Sequence, residues 1–198
     1  SLRRQRQMCI RDRHIAAYAE LNVLSNFSFL EGGSHPEELI ERAAFLGYRA
    51  IALTDRNTLA GVVRFHTAAK AKGIQAIIGA RIDIEDGASF ICLPKDRSAY
   101  SRLSKLLTLG KRRVQKSMCK LWRSDIVEHL QGQILIILPP LFFNASKLYV
   151  NQKRIDSEFA DELSKWVEQL SGSVYLAASL CYSCLLYTSP SPRDLSPS

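Results

Sequence analysis

From residue 19 to residue 177, short apolar runs alternate with longer stretches of helical period. Ala19 to Val23 is such a run, and it enters a polar loop closed by Gly32-Gly33, which predicts a strand delivering residues to an exposed face. Ser34-His35-Pro36-Glu37 predicts a helix start, with a Ser cap, Pro in the first turn and Glu three residues after the cap. Leu39, Ile40, Ala43 and Leu46 share one face of that helix, and Gly47 supplies the stop. Ala50 to Leu53 reads as a buried strand ending in the turn Thr54-Asp55-Arg56-Asn57. A helix from Leu59 to Lys72, ended by Gly73, and a third strand from Gln75 to Ile78 follow.

Arg81 to Ile84 and Ser89 to Leu93, joined by Glu85-Asp86-Gly87, predict a hairpin. Ser98 to Leu109 predicts a helix with Leu103, Leu106 and Leu107 inward and a stop at Gly110, leaving Lys111-Arg112-Arg113 as a solvated loop or, alternatively, a contact to a DNA phosphate. Ser124 predicts the cap of a short helix to Leu130, and Ile134 to Leu138 an apolar strand stopped by Pro139-Pro140. Asp156 to Leu170 is amphipathic through Phe159, Leu163, Trp166 and Leu170, and Val174 to Ala177 predicts a last strand. Strands alternating with helices of about a dozen residues define an α/β domain with a largely parallel sheet. Pattern alone does not separate a closed barrel from an open sheet.

Composition changes this picture at the ends of the chain. The 198 residues, 46% hydrophobic and 23% charged, suit one soluble domain or part of a larger one. No apolar run approaches the roughly 20 residues that span a bilayer, and no signal sequence opens the chain. The expectation is a cytoplasmic protein with no membrane partner. Residues 1–13 and 181–198 lack amphipathic period, and both resemble translated sequencing-adapter read-through: Met8-Cys-Ile-Arg-Asp-Arg13 at one end, Cys184-Leu-Leu-Tyr-Thr-Ser-Pro-Ser-Pro-Arg-Asp194 at the other. They are expected to be disordered additions flanking a domain at 14–180. The formal charge of +8 falls to +4 without them, with 21 basic against 17 acidic residues. Half of the apparent basicity therefore lies in those ends, and the body is only mildly basic. Three of five cysteines lie there too, leaving Cys92 and Cys119 without a disulfide or zinc-binding spacing.

Tyr18-Ala-Glu-Leu21, the block Ser25-Asn-Phe-Ser-Phe-Leu-Glu-Gly-Gly-Ser-His-Pro-Glu-Glu-Leu39 and Ala52-Leu-Thr-Asp-Arg-Asn-Thr-Leu-Ala-Gly-Val-Val-Arg64 resemble the opening of the bacterial error-prone DNA polymerase III alpha subunit. Leu106-Leu-Thr-Leu-Gly-Lys-Arg-Arg113 and Gly132-Gln-Ile-Leu-Ile-Ile-Leu-Pro-Pro140 do so as well. The resemblance implies an amino-terminal PHP (polymerase and histidinol phosphatase) domain, a distorted (β/α)7 barrel that is incomplete at its C-terminal side. It implies a longer parent in which a polymerase body packs on this domain, binds DNA, uses magnesium, and works in translesion synthesis and repair with other proteins of that pathway. No residue of that polymerase domain is expected here, and the stretch itself is expected to act as a scaffold without phosphoesterase activity.

Active PHP domains bind divalent metals through His and carboxylates at the strand ends, because one imidazole alone does not hold a metal against water. Carried over position by position, the pattern fails. Asn22 and Leu24 stand where the family keeps a His-x-His pair, Arg56 where Thr-Asp-His supplies a ligand, and Arg81 where Gly-x-Glu supplies a carboxylate. Glu31 and Asp55 are the acidic remnants. Two cations at ligand positions repel metal, and the expectation is that Arg56 and Arg81 pair with Glu31 and Asp55 instead. No resident metal, cofactor or catalytic residue is expected in this stretch.

His35 reads as a surface residue in a helix-start turn, His66 as a helix-face residue and His129 as a helix-end residue favoured by the dipole. A stand-alone phosphoesterase of the histidinol-phosphatase type would need His at positions 22, 24 and 56. A non-enzymatic DNA-binding module would need stronger body basicity with exposed aromatics.

Overall fold

A computed structural model describes residues 18–116, 118–138, 163–168 and 174–177. The expected additions at 1–13 and 181–198, the Pro139-Pro140 stop and most of the Asp156–Leu170 helix lie outside the described residues.

Three strands, β1 (Ala19–Val23), β2 (Ala50–Leu53) and β3 (Gln75–Ile78), form a parallel sheet in the order β1-β2-β3. All three have the bounds that the apolar runs predict. Every residue of β2 is buried, as expected of a central parallel strand whose two faces are both covered. Helices α1 (Pro36–Phe45) and α2 (Val62–Lys72) cover one face, where Ile40, Ala43, Phe65 and Ala69 pack on Ile51 and Leu53.

A second sheet contains β4 (Ala80–Ile82), β5 (Phe90–Pro94), β6 (Gln133–Ile137) and β7 (Val174–Leu176) in that order. The β4–β5 hairpin and the β5–β6 pair are antiparallel, and β6–β7 is parallel. Parallel pairing is thus less dominant than strand–helix alternation suggests, because β4 and β5 are joined by a short turn and such a turn forces an antiparallel pair. Helices α3 (Arg97–Arg112) and α4 (Arg123–His129) put Leu103, Leu106, Leu107 and Ile126 on Phe90, Cys92, Leu135 and Ile137. Trp166, on the helical segment 163–168, is buried in the same cluster and meets Phe90 edge to face at 5.3 Å.

The two sheets meet on their other faces, where Ala52 packs with Ile91 and Leu93, flanked by Leu21, Ile77, Ile134 and Ile136. This is the interior of a distorted barrel, with helices outside and two sheet faces inside. Among the described residues the strands do not close into a ring. Gly79 makes the passage between sheets possible: a Cβ there would lie 2.5 Å from Leu93 Cδ2 and 2.6 Å from the Cys92 carbonyl oxygen. Only a residue without a side chain lets β3 turn into β4 so close to β5.

Several element ends differ from expectation for identifiable reasons. Helix α1 begins at Pro36 with His35 rather than Ser34 at the cap, and the Glu38 side chain accepts from the His35 N–H at 2.8 Å. The Ser34 carbonyl is engaged elsewhere, by the Asn26 N–H at 2.9 Å. Helix α2 begins at Val62 rather than Leu59. Helix α4 is capped two residues earlier than expected, at Trp122, whose N–H donates to Asp125 Oδ2 at 2.9 Å.

The larger correction concerns Gly110, which does not end α3. The helix runs through it to Arg112, with Arg113 as its C-cap. A Cβ at Gly110 would sit 2.6 Å from Cys119 Sγ and 2.7 Å from Leu121 Cγ, so the glycine lets the chain returning to α4 press against the helix. Gly110→Ala is expected to destabilise the domain by about 1–3 kcal/mol through overpacking, despite the better helix propensity of Ala. Thermal unfolding followed by circular dichroism measures it; an unchanged or raised Tm would contradict the close-packing account.

Candidate functional site

The carboxyl ends of β1 and β2 lead into the loops 24–33 and 54–58, and that of β3 leads through Gly79 into β4 and Asp83; these segments carry the residues that matter. Ligands of parallel α/β sheets bind at such strand ends. At the end of β1 the register slips between Glu20 and Val23, so that Leu21 and Asn22 face a single residue of β2. Asn22 is exposed and its N–H donates to the Glu20 carboxylate at 3.2 Å, while Leu24 is half-buried. Neither is a metal donor of the kind an imidazole pair would supply.

Asp55 is 1% exposed and is the anchor of the first loop. Its Oδ1 accepts from the Ser25 N–H at 2.7 Å and the Ser28 hydroxyl at 2.6 Å, and its Oδ2 accepts from the Ser25 hydroxyl at 2.7 Å. Ser28 Oγ in turn accepts from the Arg56 N–H at 3.0 Å. The expected pairing of Asp55 with an arginine is corrected here: its lone pairs are taken by serine donors, and the cations turn to another carboxylate. That carboxylate is Asp83.

Arg56 and Arg81 are neighbours across an isolated parallel bridge, with Asn57 N–H to the Arg81 carbonyl at 2.7 Å and Arg81 N–H to the Asp55 carbonyl at 3.1 Å. Two like charges in that register repel unless carboxylates stand between them. Glu31 and Asp83 do so. Glu31 Oε1 lies 2.6 Å from Arg56 Nη1, and Oε2 lies 3.7 Å from Arg81 Nη1. Asp83 Oδ1 accepts from Arg81 Nε at 3.2 Å, and Oδ2 accepts from Arg56 Nε. The four side chains form an alternating ring of zero net charge. Burial pushes the Asp83 carboxyl up, but the Ser89 hydrogen bond and the Arg81 and Arg56 charges outweigh it and hold it below the usual carboxylate range. Burial likewise disfavours the Arg56 cation, and Asp83 and Glu31 more than compensate.

Glu31 reaches the ring because its loop is bent back by Leu30, which adopts φ +63° while remaining 89% exposed. Glu31 and Gly32 N–H groups both donate to the Ser28 carbonyl at 3.0 Å, which fixes the turn. A left-handed leucine costs on the order of 1 kcal/mol, so the hydrogen bonds and the Glu31 ion pairs hold the chain there against its preference. Asp83, which the family pattern does not mark, sits two residues after Arg81, just past the end of β4. That i, i+2 spacing is the signal that could have found it.

Among the described residues, His35, His66 and His129 do not join this site. The His35 N–H caps α1, His66 is exposed on α2, and His129 Nδ1 lies 2.9 Å from the Asp125 carbonyl oxygen at the end of α4. Lys111-Arg112-Arg113 is not a free loop: Arg113 is held bidentately by Asp125, with Nη2–Oδ1 at 2.8 Å. The Arg113 hydrogen bond keeps the Asp125 carboxyl below the usual range.

A metal is the group this fold family implies, and the residues present do not fit one. The positions that would ligate it hold two guanidinium groups, and the carboxylates nearest them are occupied by those guanidiniums. Among the described residues, no cluster of three or more His, Cys, Asp or Glu is placed to hold an ion.

The barrel-like α/β architecture, with a polar site at the strand ends, is that of the PHP domain, and the PHP-domain family model matches residues 20–178. The chain belongs to that family. More narrowly, it is homologous to the N-terminal region of error-prone DNA polymerases. It is 44% identical over 166 residues to the error-prone DNA polymerase of Caulobacter vibrioides, covering 83% of this chain and 14% of that one. It is 48% identical over 125 residues to error-prone DNA polymerase 3 of Agrobacterium fabrum, covering 63% of this chain and 12% of that one. Among solved structures, an amidohydrolase from Chromobacterium violaceum shares the fold at TM-score 0.58 and 15% identity, covering 79% of this chain and 75% of that one. The chain therefore spans about one seventh of the length of these polymerase relatives.

Proposed function

We propose that this chain is the PHP region of an error-prone DNA polymerase III alpha-type subunit, in which an ion-pair ring stands in place of the metal centre and the domain serves as a scaffold. The observation that carries the reading is the Arg56–Glu31–Arg81–Asp83 ring, which fills the ligand positions with balanced charge. On this reading the polymerase body of the longer chain packs on the domain and binds DNA. DNA-templated synthesis, with its magnesium, belongs to that body, in translesion and repair work in the cytoplasm. The domain runs over 14–180, and the two ends are sequence additions.

Two measurements test it. The purified chain, assayed with an aryl phosphate and magnesium, manganese or zinc, is expected to show no turnover above that of metal alone. Metal-dependent turnover would overturn the scaffold reading in favour of a phosphoesterase. The genomic reading frame past Leu180 is expected to continue into a polymerase palm, and an early stop would overturn the polymerase assignment.

A further inference from the structure

Helix α3 contains Arg97, Arg102, Lys105, Lys111 and Arg112 and not one Asp or Glu. An exposed helix ordinarily intersperses acids at i, i+4, so this one leaves its cations unpaired along its own length. Arg102 turns away and donates Nε to the Gln131 carbonyl at 2.7 Å. Arg97, Lys105 and Arg112 instead line an open groove of about 970 Å³ between α3 and α4. The hydroxyls of Ser101 and Ser104 lie between them, the Thr108 hydroxyl is turned to the Ser104 carbonyl at 2.8 Å, and Tyr100 stands on the same wall, 36% exposed.

The opposite wall does little to neutralise this. Asp125 is spent on Arg113, which leaves Glu128 as the acid facing three cations. Arg97 to Arg112 extends about 22 Å at the helical rise of about 1.5 Å per residue. Beyond Arg112 the track continues into a second concavity that Arg112 and Arg113 share with Gln115 and Met118. Cations spaced along a groove, hydroxyl donors between them and an exposed aromatic are the features that hold a sugar-phosphate backbone while stacking a base.

We infer that the α3–α4 groove, with Arg97, Lys105 and Arg112 on phosphates and Tyr100 on a base, is a binding track for single-stranded DNA, a second polynucleotide contact separate from any polymerase body. The choice of DNA rests on the polymerase reading above; the groove itself shows only the chemistry of a single-stranded polyanion.

The test is fluorescence anisotropy of the whole chain with a labelled single-stranded DNA oligomer, the same sequence as RNA, and duplex DNA. Three phosphate contacts give a log–log salt slope of about −2, so affinity for the single strand is expected to fall roughly 20-fold between 50 and 200 mM salt. The variant R97A/K105A/R112A is expected to lose at least tenfold in affinity and most of that slope, while K70A/K72A, on α2, retains both. Tyr100→Ala is expected to weaken the single strand more than the duplex, and Tyr100→Phe to restore it. All four positions are exposed enough that circular dichroism should be unchanged. Equal binding by the triple variant, no binding by the parent chain, or preference for duplex would overturn the inference. Preference for RNA would overturn the assignment to DNA. A chain that binds nothing leaves the polymerase assignment standing, because the reading frame decides that separately.

Discussion

Asp55→Ala is expected to unfold the strand-end loop and to cost about 3–5 kcal/mol of global stability. The carboxylate is fully buried and accepts three hydrogen bonds, from the Ser25 N–H, the Ser25 hydroxyl and the Ser28 hydroxyl. Alanine leaves all three donors buried without acceptors, and an unmade buried hydrogen bond costs about 1–3 kcal/mol. The damage spreads, because Ser28 also accepts from the Arg56 N–H and its carbonyl holds the Glu31 and Gly32 N–H groups. For a domain of this size the loss lowers Tm by on the order of 10 °C. Asp55→Asn keeps one acceptor oxygen and is expected to lose about half as much. Chemical denaturation of the two variants measures this. If Asp55→Ala melts with the parent, the carboxylate is not the loop anchor described above.

This role for Asp55 shows what the sequence makes visible and what it hides. β1, β2 and β3 are legible to the residue because each is an apolar run bounded by polar or Gly signals. The hairpin at Gly87 is legible for the same local reason. The partners of Asp55 are not, because Ser25 and Ser28 lie about 30 residues away and meet it only once β1 and β2 pair. Gly110 misleads because a helix stop and a tight helix contact both select glycine. The absence of the family's histidines at 22, 24 and 56 is plain in the sequence. That Glu31 and Asp83, rather than Asp55, balance Arg56 and Arg81 depends on where Leu30 turns the chain.

Asp83→Lys is expected to destabilise the domain by about 3 kcal/mol or more. It places a third cation against Arg56 and Arg81, with Glu31 left to balance all three. One like-charge contact at about 4 Å costs on the order of 4 kcal/mol near a protein surface, before side-chain relaxation and salt reduce it. Adding Arg81→Glu restores zero net charge and an ion pair between positions 81 and 83, but leaves like charges facing each other at 31 and 81 and at 56 and 83, so the double variant is expected to recover only part of the loss. Such non-additivity is the signature of direct coupling; two independent surface effects would simply add. The pH dependence follows from the Asp83 shift. A carboxyl depressed in the folded state binds fewer protons there than in the unfolded chain. Its contribution is therefore complete above the unfolded value of about 3.9 and is lost as pH falls through the lower folded value. Asp125, depressed beside Arg113, titrates in the same direction. Asp83→Asn should flatten the acid limb of the stability profile, and adding Asp125→Asn should flatten it further, with Glu37, depressed beside Arg64, still contributing in the same direction. If the single and double charge changes prove additive and the acid limb is unaltered by Asp83→Asn, the four residues are not a coupled ring, and the metal-site positions are merely solvated.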